Sequence, residues 1–115
     1  MSKLLQTQQL FSFHVMQLLK YIYDKNYTCT LADAYRCPEM AALYYAQGKG
    51  INDSQHCKRL AIDLNIFNAN NNLLTEKADY EIFGKYWENL DQHCRWGGRF
   101  TKLVDCGHFE MQEPK

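Results

Sequence analysis

The sequence has no excess of charge of either sign and no long uninterrupted apolar run. Thirteen Lys and Arg balance thirteen Asp and Glu, so the formal net charge is +0. The broad cationic surface that drives non-specific binding to nucleic acid or anionic membranes is therefore missing. The apolar N-terminal stretch is interrupted by glutamines, His14 and Lys20, and so predicts neither a signal peptide nor a membrane span. We expect the protein to have no nucleic-acid partner and not to insert into a membrane. We also expect it to be synthesised and folded in a cytoplasm.

The cysteines also lack a recognisable pattern. There are five of them, an odd number, and no two form a CxxC pair, which does not fit the disulfide framework of a small secreted domain. We interpret them as reduced thiols. The length of 115 residues leaves room for one domain and no separate targeting module. The 46% of hydrophobic residues is enough for a folded core, so residues 1–115 are predicted to form a single domain.

Hydrophobic periodicity in the first half predicts helices and strands in alternation. Apolar residues at steps of three and four predict an amphipathic helix over 4–22, closed by Asn26. Residues 27–36 are rich in β-formers and predict a strand. After Cys37-Pro38, a second helix is predicted over 39–47. Strict alternation over 60–67 predicts a strand with one apolar and one polar face.

The second half predicts one helix and a short strand. An Asn-rich turn at 68–72 precedes a helix from Thr75 to about His93. Residues 96–98 are predicted to be a loop, and 103–111 a loop that leads into a short strand. The mixture indicates an α+β domain.

Acidic and imidazole side chains recur in two places. Asp63 projects from the polar face of an otherwise apolar strand, seven positions after His56. A half-buried carboxylate there is costly unless a cation or hydrogen bonds compensate it, so a metal ion is a natural partner. Further on, Asp105 and His108 lie three positions apart. Two histidines and one carboxylate, with a water in the remaining position, are the ligand set of a catalytic zinc site. Such a site also needs an unligated acid to carry a proton, for which Asp105 and Glu110 both qualify.

These motifs, in this order, resemble the VanY-like group of zinc peptidases, which comprises D-Ala-D-Ala carboxypeptidases and phage L-alanyl-D-glutamate endopeptidases. The family pattern SxHxxGxAxD is met by residues 54–63 except at its glycine, and the later acid-x-x-His pattern is met by residues 105–108. Further matches in the same order are the Tyr-Arg pair at 35–36, the segment 43–48 and the Trp-Gly-Gly at 96–98.

The resemblance implies a role for each matching residue. His56, Asp63 and His108 would hold Zn²⁺, and Asp105 would be the general base. Arg36 would pair with a substrate carboxylate or with the oxyanion of the transition state, because its guanidinium stays charged and offers a fork of donors.

Several positions leave alternatives open. Ser54 is expected to contact substrate near the metal loop or simply to form a turn, and Trp96 either to line the substrate cleft or to pack in the core. Glu110 is expected to be an exposed strand residue or to hydrogen-bond His108, and these roles are favoured over that of a general base.

Arg59 replaces the family glycine. If this position needs a positive φ, the arginine would strain the loop. The competing cysteine-rich structural zinc site, with Cys57 and Cys106 beside the motifs, has no chelating pair.

The resemblance implies helices packed on one face of a short antiparallel sheet, with a zinc cleft on the other face. We predict hydrolysis of the L-Ala–D-Glu amide bond in bacterial peptidoglycan stem peptides by a monomeric phage endolysin. It would stay in the host cytoplasm until its release to the wall causes lysis. The choice of bond follows from the lack of an export signal and of a wall-binding module. The alternatives are a D-Ala-D-Ala carboxypeptidase or dipeptidase, which would depend more on Arg36, and an inactive metal-binding or wall-binding relative.

Overall fold

The computed structural model describes residues 2–50 and 54–115. Within them it contains the helices α1 (Lys3–Asp24), α2 (Pro38–Ala46) and α3 (Lys77–Leu90), and 3₁₀ turns at Gln55–Lys58 and Gly97–Arg99. The strands are β1 (Thr28–Leu31), β2 (Ala61–Phe67), β3 (Cys94–Trp96) and β4 (His108–Met111). They form one antiparallel sheet in the order β1-β2-β4-β3. The predicted α+β class is confirmed. No described helix is both long and apolar enough to cross a membrane.

Helix α1 forms where the apolar periodicity predicts it. The Ser2 hydroxyl accepts a hydrogen bond from the Leu5 N–H at 3.0 Å and caps the first turn. Phe11, Leu18 and Ile22 form its buried stripe, which packs the helix on the core. The chain then turns at Asn26, whose φ of 66° is tolerated by asparagine better than by most residues.

The alternation in β2 separates a core face from a functional face. Ile62, Leu64 and Ile66 point into the core, where they join Phe109 and Met111 of β4. The aromatic side chains that α3 buries in the same core are Tyr80, Phe83 and Trp87. Because successive strand residues point to opposite faces, Asp63 of β2 and His108 of β4 emerge on the face away from this core.

Strand β1 is shorter than the sequence predicts, since its regular pairing ends at Leu31 opposite Leu64. Beyond that point two consecutive residues bind the same partner. The Ala32 N–H donates to the Asp63 carbonyl at 2.9 Å, and the Asp63 N–H donates to the Asp33 carbonyl at 2.8 Å. Two residues opposite one is the arrangement of a β-bulge, which bends a strand out of the ladder. The bend directs the segment 33–36 across the end of the sheet.

Strand β3 is absent from the sequence-based prediction, which places a loop at 96–98. Helix α3 ends at Leu90, three residues before the predicted end, because Asp91 accepts hydrogen bonds from the His93 backbone N–H at 2.8 Å and closes a turn. The chain then pairs Cys94–Trp96 with β4. Three residues are too few for alternation to be visible, so only the tertiary pairing defines this strand.

Candidate functional site

The register of the two central strands builds the site. Asp63 on β2 lies directly opposite His108 on β4, and side chains of directly opposed residues meet on one face of a sheet. The Asp63 Oδ1 and His108 Nδ1 atoms are 2.8 Å apart. Two residues further along β4, Glu110 points to the same face, and its Oε1 lies 2.7 Å from His108 Nε2. The His108 imidazole is therefore held between two carboxylates.

His56 reaches the same point from the 3₁₀ turn that precedes β2. The Ser54 hydroxyl caps this turn by accepting the His56 N–H at 3.2 Å. The ring Nδ1 of His56 lies 2.8 Å from the Ala34 carbonyl oxygen. A carbonyl only accepts, so Nδ1 carries a hydrogen, and Nε2 is the ring nitrogen that a metal ion would bind. That Nε2 faces Asp63 Oδ2 at 3.2 Å.

Three donor atoms thus converge, one each from His56, Asp63 and His108, all within 4.8 Å of one another. Among residues 2–50 and 54–115 this is the one such group of three or more His, Cys, Asp or Glu side chains, and it contains no cysteine. Each histidine has its other ring nitrogen tied to an acceptor, as is usual for metal-ligating imidazoles. The donor set and these outer hydrogen bonds fit a divalent metal ion, and Zn²⁺ suits two imidazoles and a carboxylate.

The same contacts shift the pKa values of Asp63 and His108. Burial acts to raise the pKa of Asp63, but hydrogen bonds from His108 and His56 lower it to about 2. Burial acts to lower the pKa of His108, but hydrogen bonds to Asp63 and Glu110 raise it to about 9. The metal-free site at neutral pH therefore contains an imidazolium between two carboxylates, and a metal ion must displace its Nδ1 proton.

Asp105 lies in the loop before β4 and lines the same cleft. Its backbone N–H donates to the Gly97 carbonyl at 3.1 Å, and a Cβ on Gly97 would lie 2.2 Å from the Asp105 carbonyl oxygen. Only glycine permits this close approach. Desolvation and the negative charge of Asp63 raise the pKa of the Asp105 carboxyl. That direction suits a group that accepts and returns a proton.

Arg36 is held at the edge of the cleft by the bent segment that follows β1. Its Nη2 donates to Asp33 Oδ2 at 3.0 Å, and its guanidinium lies 5.0 Å from the centre of the Tyr44 ring. The side chain is only 14% exposed, and its buried Nε has no hydrogen-bond partner among the described residues. A buried guanidinium N–H without a partner is costly, and a carboxylate or an oxyanion is the kind of group that would satisfy it.

These groups line an open cleft of about 660 Å³, on the sheet face opposite the core. Ser54 lines it as well, but the hydroxyl is already engaged in capping the turn of His56. The turn-forming role of Ser54 is therefore present in the structure, and its contact with substrate stays a prediction.

The expected contact of Trp96 with substrate is corrected by the structure. Its side chain is 0% exposed, and a Cβ on Gly84 or Gly98 would lie 2.1 or 2.3 Å from its ring. The indole is therefore clamped between two glycines, and its Nε1 donates to the Cys106 carbonyl at 2.7 Å. Trp96 packs in the core and supports the loop that carries Asp105.

Arg59 adopts the left-handed conformation that the family glycine suggests, with φ 58° and ψ 37°. Its guanidinium lies 4.1 Å from the centre of the Tyr35 ring, a cation–π contact that offsets part of the backbone strain. The turn still delivers His56 to the site, so arginine replaces the glycine without displacing the ligand.

Comparison with known proteins agrees with this geometry. The sequence profile of a peptidase family described as D-alanyl-D-alanine carboxypeptidase matches residues 47–111, which is more than half of the chain. The chain belongs to this peptidase family. Within the family match lie His56, Asp63, Asp105 and His108, whereas Arg36 lies before it. No curated protein shows significant sequence similarity to this family member.

Among solved structures, this peptidase-family chain has a fold similar to that of the Serratia marcescens L-Ala D-Glu endopeptidase ChiX. The TM-score is 0.62 and the identity 18%, and the alignment covers 74% of this chain and 67% of that chain. At this identity the likeness concerns the fold.

Sequence reasoning missed three contributors to the site: the Ala34 carbonyl, Arg95 and Phe100. Arg95 and Phe100 both line the cleft. A backbone carbonyl has no sequence signal, and neither side chain belongs to a motif. The position of Arg95 on the cleft face follows only from the pairing of β3 with β4.

We predict that the metal-free protein loses stability as the pH rises from about 6.5 to about 9. The pKa of His108 is raised from 6.5 to about 9 in the folded state. The protonated ring therefore adds its full contribution to the free energy of unfolding below about pH 6.5, and this contribution is lost as the pH rises to about 9. Urea unfolding in excess chelator measures this, with His108→Gln as the control, which lacks the titrating ring. Equal pH dependence of the two proteins in this window would contradict the prediction.

Variants of Arg59 separate backbone strain from side-chain stacking. Arg59→Gly relieves about 1 kcal/mol of left-handed strain but loses a contact of about 0.5–1 kcal/mol, so the free energy of unfolding should change little. Arg59→Ala keeps the strain and loses the contact, and should be about 1 kcal/mol less stable than Arg59→Gly. Urea unfolding measures the order, and an alanine variant as stable as the wild type would refute it.

Proposed function

We propose that this protein is a zinc-dependent peptidase that hydrolyses the L-Ala–D-Glu amide bond of peptidoglycan stem peptides. The observation that carries the proposal is the convergence of donor atoms from His56, Asp63 and His108 within 4.8 Å, in the cleft that Asp105 and Arg36 also line. Membership of a peptidase family makes amide hydrolysis the reaction that this arrangement serves.

In this proposal His56, His108 and Asp63 would hold Zn²⁺, and the atoms that they offer are His56 Nε2, His108 Nδ1 and a carboxylate oxygen of Asp63. When bound, the ion lowers the pKa of a water and polarises the scissile carbonyl. Asp105 would take a proton from the attacking water and return it to the leaving nitrogen. The second proton of the water leaves the new carboxylic acid and is taken up by the same amine, so that one amide and one water give a carboxylate and an ammonium group. Arg36 binds a substrate carboxylate or the developing oxyanion with its fork of donors.

The extent of the cleft supports an endopeptidase. An endopeptidase must let its substrate continue past the scissile bond in both directions. A second cavity of about 460 Å³ shares Asp63 and Asp105 with the main cleft and extends beside β2, past Asn65 and Thr75. The main cleft extends the other way, to Arg95 on β3. The fold is also that of a protein named as an L-Ala D-Glu endopeptidase.

A D-Ala-D-Ala carboxypeptidase is the second candidate, and the description of the matched family favours it. This reaction requires capture of a free C-terminal carboxylate. The buried Nε of Arg36, which has no partner among the described residues, suits that task. The two candidates share the metal centre and differ in the position of the substrate along the cleft.

Mass spectrometry of zinc-loaded protein acting on purified stem peptides and on peptidoglycan distinguishes these candidates. The proposal predicts fragments with a new N-terminal D-Glu, whereas release of free D-Ala alone would identify a carboxypeptidase. The matched controls are His56→Ala and excess chelator, both of which should abolish the fragments. No product from zinc-loaded protein on either substrate would favour an inactive metal-binding relative.

We predict that Asp105→Asn lowers kcat by about 10²- to 10⁴-fold while zinc content stays stoichiometric, because a proton acceptor is lost and no ligand is. The amide oxygen can still accept the Gly107 N–H that Asp105 Oδ1 binds. The control is Asp79→Asn, an exposed aspartate in the first turn of α3, which should leave kcat unchanged. Asp105→Asn with more than about a tenth of wild-type kcat would exclude Asp105 as the base.

The biological setting belongs to the same proposal and rests on the resemblance to phage L-alanyl-D-glutamate endopeptidases. We propose that the protein acts as a monomeric endolysin, present in the host cytoplasm until it reaches the cell wall and causes lysis.

A further inference from the structure

Arg95 lies on β3, at the edge of the sheet, and lines the cleft beside the group formed by His56, Asp63 and His108, to which it contributes no donor atom. It lies directly opposite Glu110 in the register of β3 and β4, and its Nη1 is 3.7 Å from Glu110 Oε2. The other carboxylate oxygen of Glu110 is the one that holds His108 Nε2 at 2.7 Å. Glu110 therefore connects the guanidinium to the imidazole.

A second path joins the same two residues. The Arg95 guanidinium lies 4.9 Å from the centre of the Phe100 ring, and that ring lies 5.7 Å from the His108 ring, centre to centre. Arg95, Glu110, His108 and Phe100 thus form a closed ring of contacts, which we call the His108 collar. Within the collar, Glu110 contacts the His108 imidazole at its Nε2 atom, and the Phe100 ring packs against the imidazole ring.

We propose that Arg95 is a positioning residue for the metal centre, acting through Glu110 and Phe100 on His108. The proposal rests on the proposed function, because it assumes that His108 binds Zn²⁺ through Nδ1. Residues that orient metal-ligating histidines change metal affinity about 10- to 100-fold when altered.

The burial of Glu110 explains why an arginine is needed. Glu110 is only 6% exposed, and a buried carboxylate requires compensating charge and hydrogen bonds. His108 Nε2 supplies one contact, and Arg95 supplies the second from the neighbouring strand. Without the guanidinium, the second oxygen of Glu110 loses its cation and the carboxylate is less firmly fixed on His108.

The test compares the affinity for Zn²⁺ across variants, measured by competition with a chromogenic chelator. Arg95→Met keeps the length of the side chain and its apolar contact with Phe100 but removes the charge, and should weaken Zn²⁺ binding about tenfold. Arg95→Lys keeps the charge and should stay within about twofold of wild type. In a Glu110→Gln background, Arg95→Met should add less than about twofold, because its path through Glu110 is already cut.

Arg99 provides a matched control. It is also a partly exposed arginine over an aromatic ring, 5.1 Å from the centre of Trp96, and it pairs with Glu88 at 3.2 Å. It does not line the cleft, and its side chain contacts Glu81, Glu88 and Trp96 instead of the side chains of the collar. Arg99→Met should leave Zn²⁺ affinity unchanged, and urea unfolding in chelator shows whether the two methionine variants are equally well folded.

The outcomes separate this proposal from the function on which it rests. If wild type binds Zn²⁺, His56→Ala does not, and Arg95→Met binds as tightly as wild type, Arg95 has no positioning role. A raised KM for Arg95→Met with unchanged Zn²⁺ affinity would likewise overturn the proposal and make Arg95 a substrate contact. If wild type binds no Zn²⁺, or His56→Ala binds it as well as wild type does, both the proposed metal centre and the role of Arg95 are wrong.

Discussion

The pairing of Asp63 with His108 across the two central strands is the constraint on which the rest of the site depends. It places a carboxylate and an imidazole 2.8 Å apart on a largely buried sheet face. Such groups are tolerated only when every polar atom finds a partner. Neighbouring residues supply these partners. Glu110 hydrogen-bonds His108 Nε2, and His56 Nε2 lies beside the Oδ2 atom of Asp63. A metal ion would replace the proton that now holds the pair together.

The segment after β1 shows how the backbone serves this constraint. The bulge opposite Asp63 sends residues 33–36 over the turn that carries His56. In this segment the Ala34 carbonyl accepts a hydrogen bond from the His56 ring, and Arg36 reaches the edge of the cleft. Tyr35 of the same segment stacks against Arg59, the left-handed residue that ends the turn of His56. One short irregular segment therefore orients the His56 ring, contacts the strained turn at Arg59 and places the Arg36 guanidinium in the cleft.

Much of this arrangement could be predicted from the sequence, because period-two alternation in β2 fixes which face Asp63 occupies, and the spacing of the motifs singles out His56 and His108. What could not be predicted depends on tertiary pairing. The three residues of β3 show no pattern of their own, so Arg95 could not be assigned to the site. Trp96 beside two glycines fits a cleft or a core equally well until the packing of Gly84 and Gly98 against its ring is known. For Glu110, the strand register decided between an exposed position and a bond to His108.

The central claim is that His56, Asp63 and His108 form one metal centre. Anomalous diffraction at the zinc edge, from crystals grown with equimolar Zn²⁺, tests it most directly. The account predicts one strong peak about 2.0–2.2 Å from His56 Nε2, His108 Nδ1 and an Asp63 oxygen, with Asp105 outside the coordination shell. A peak at any other set of side chains, or no peak in crystals of the folded protein, would contradict it.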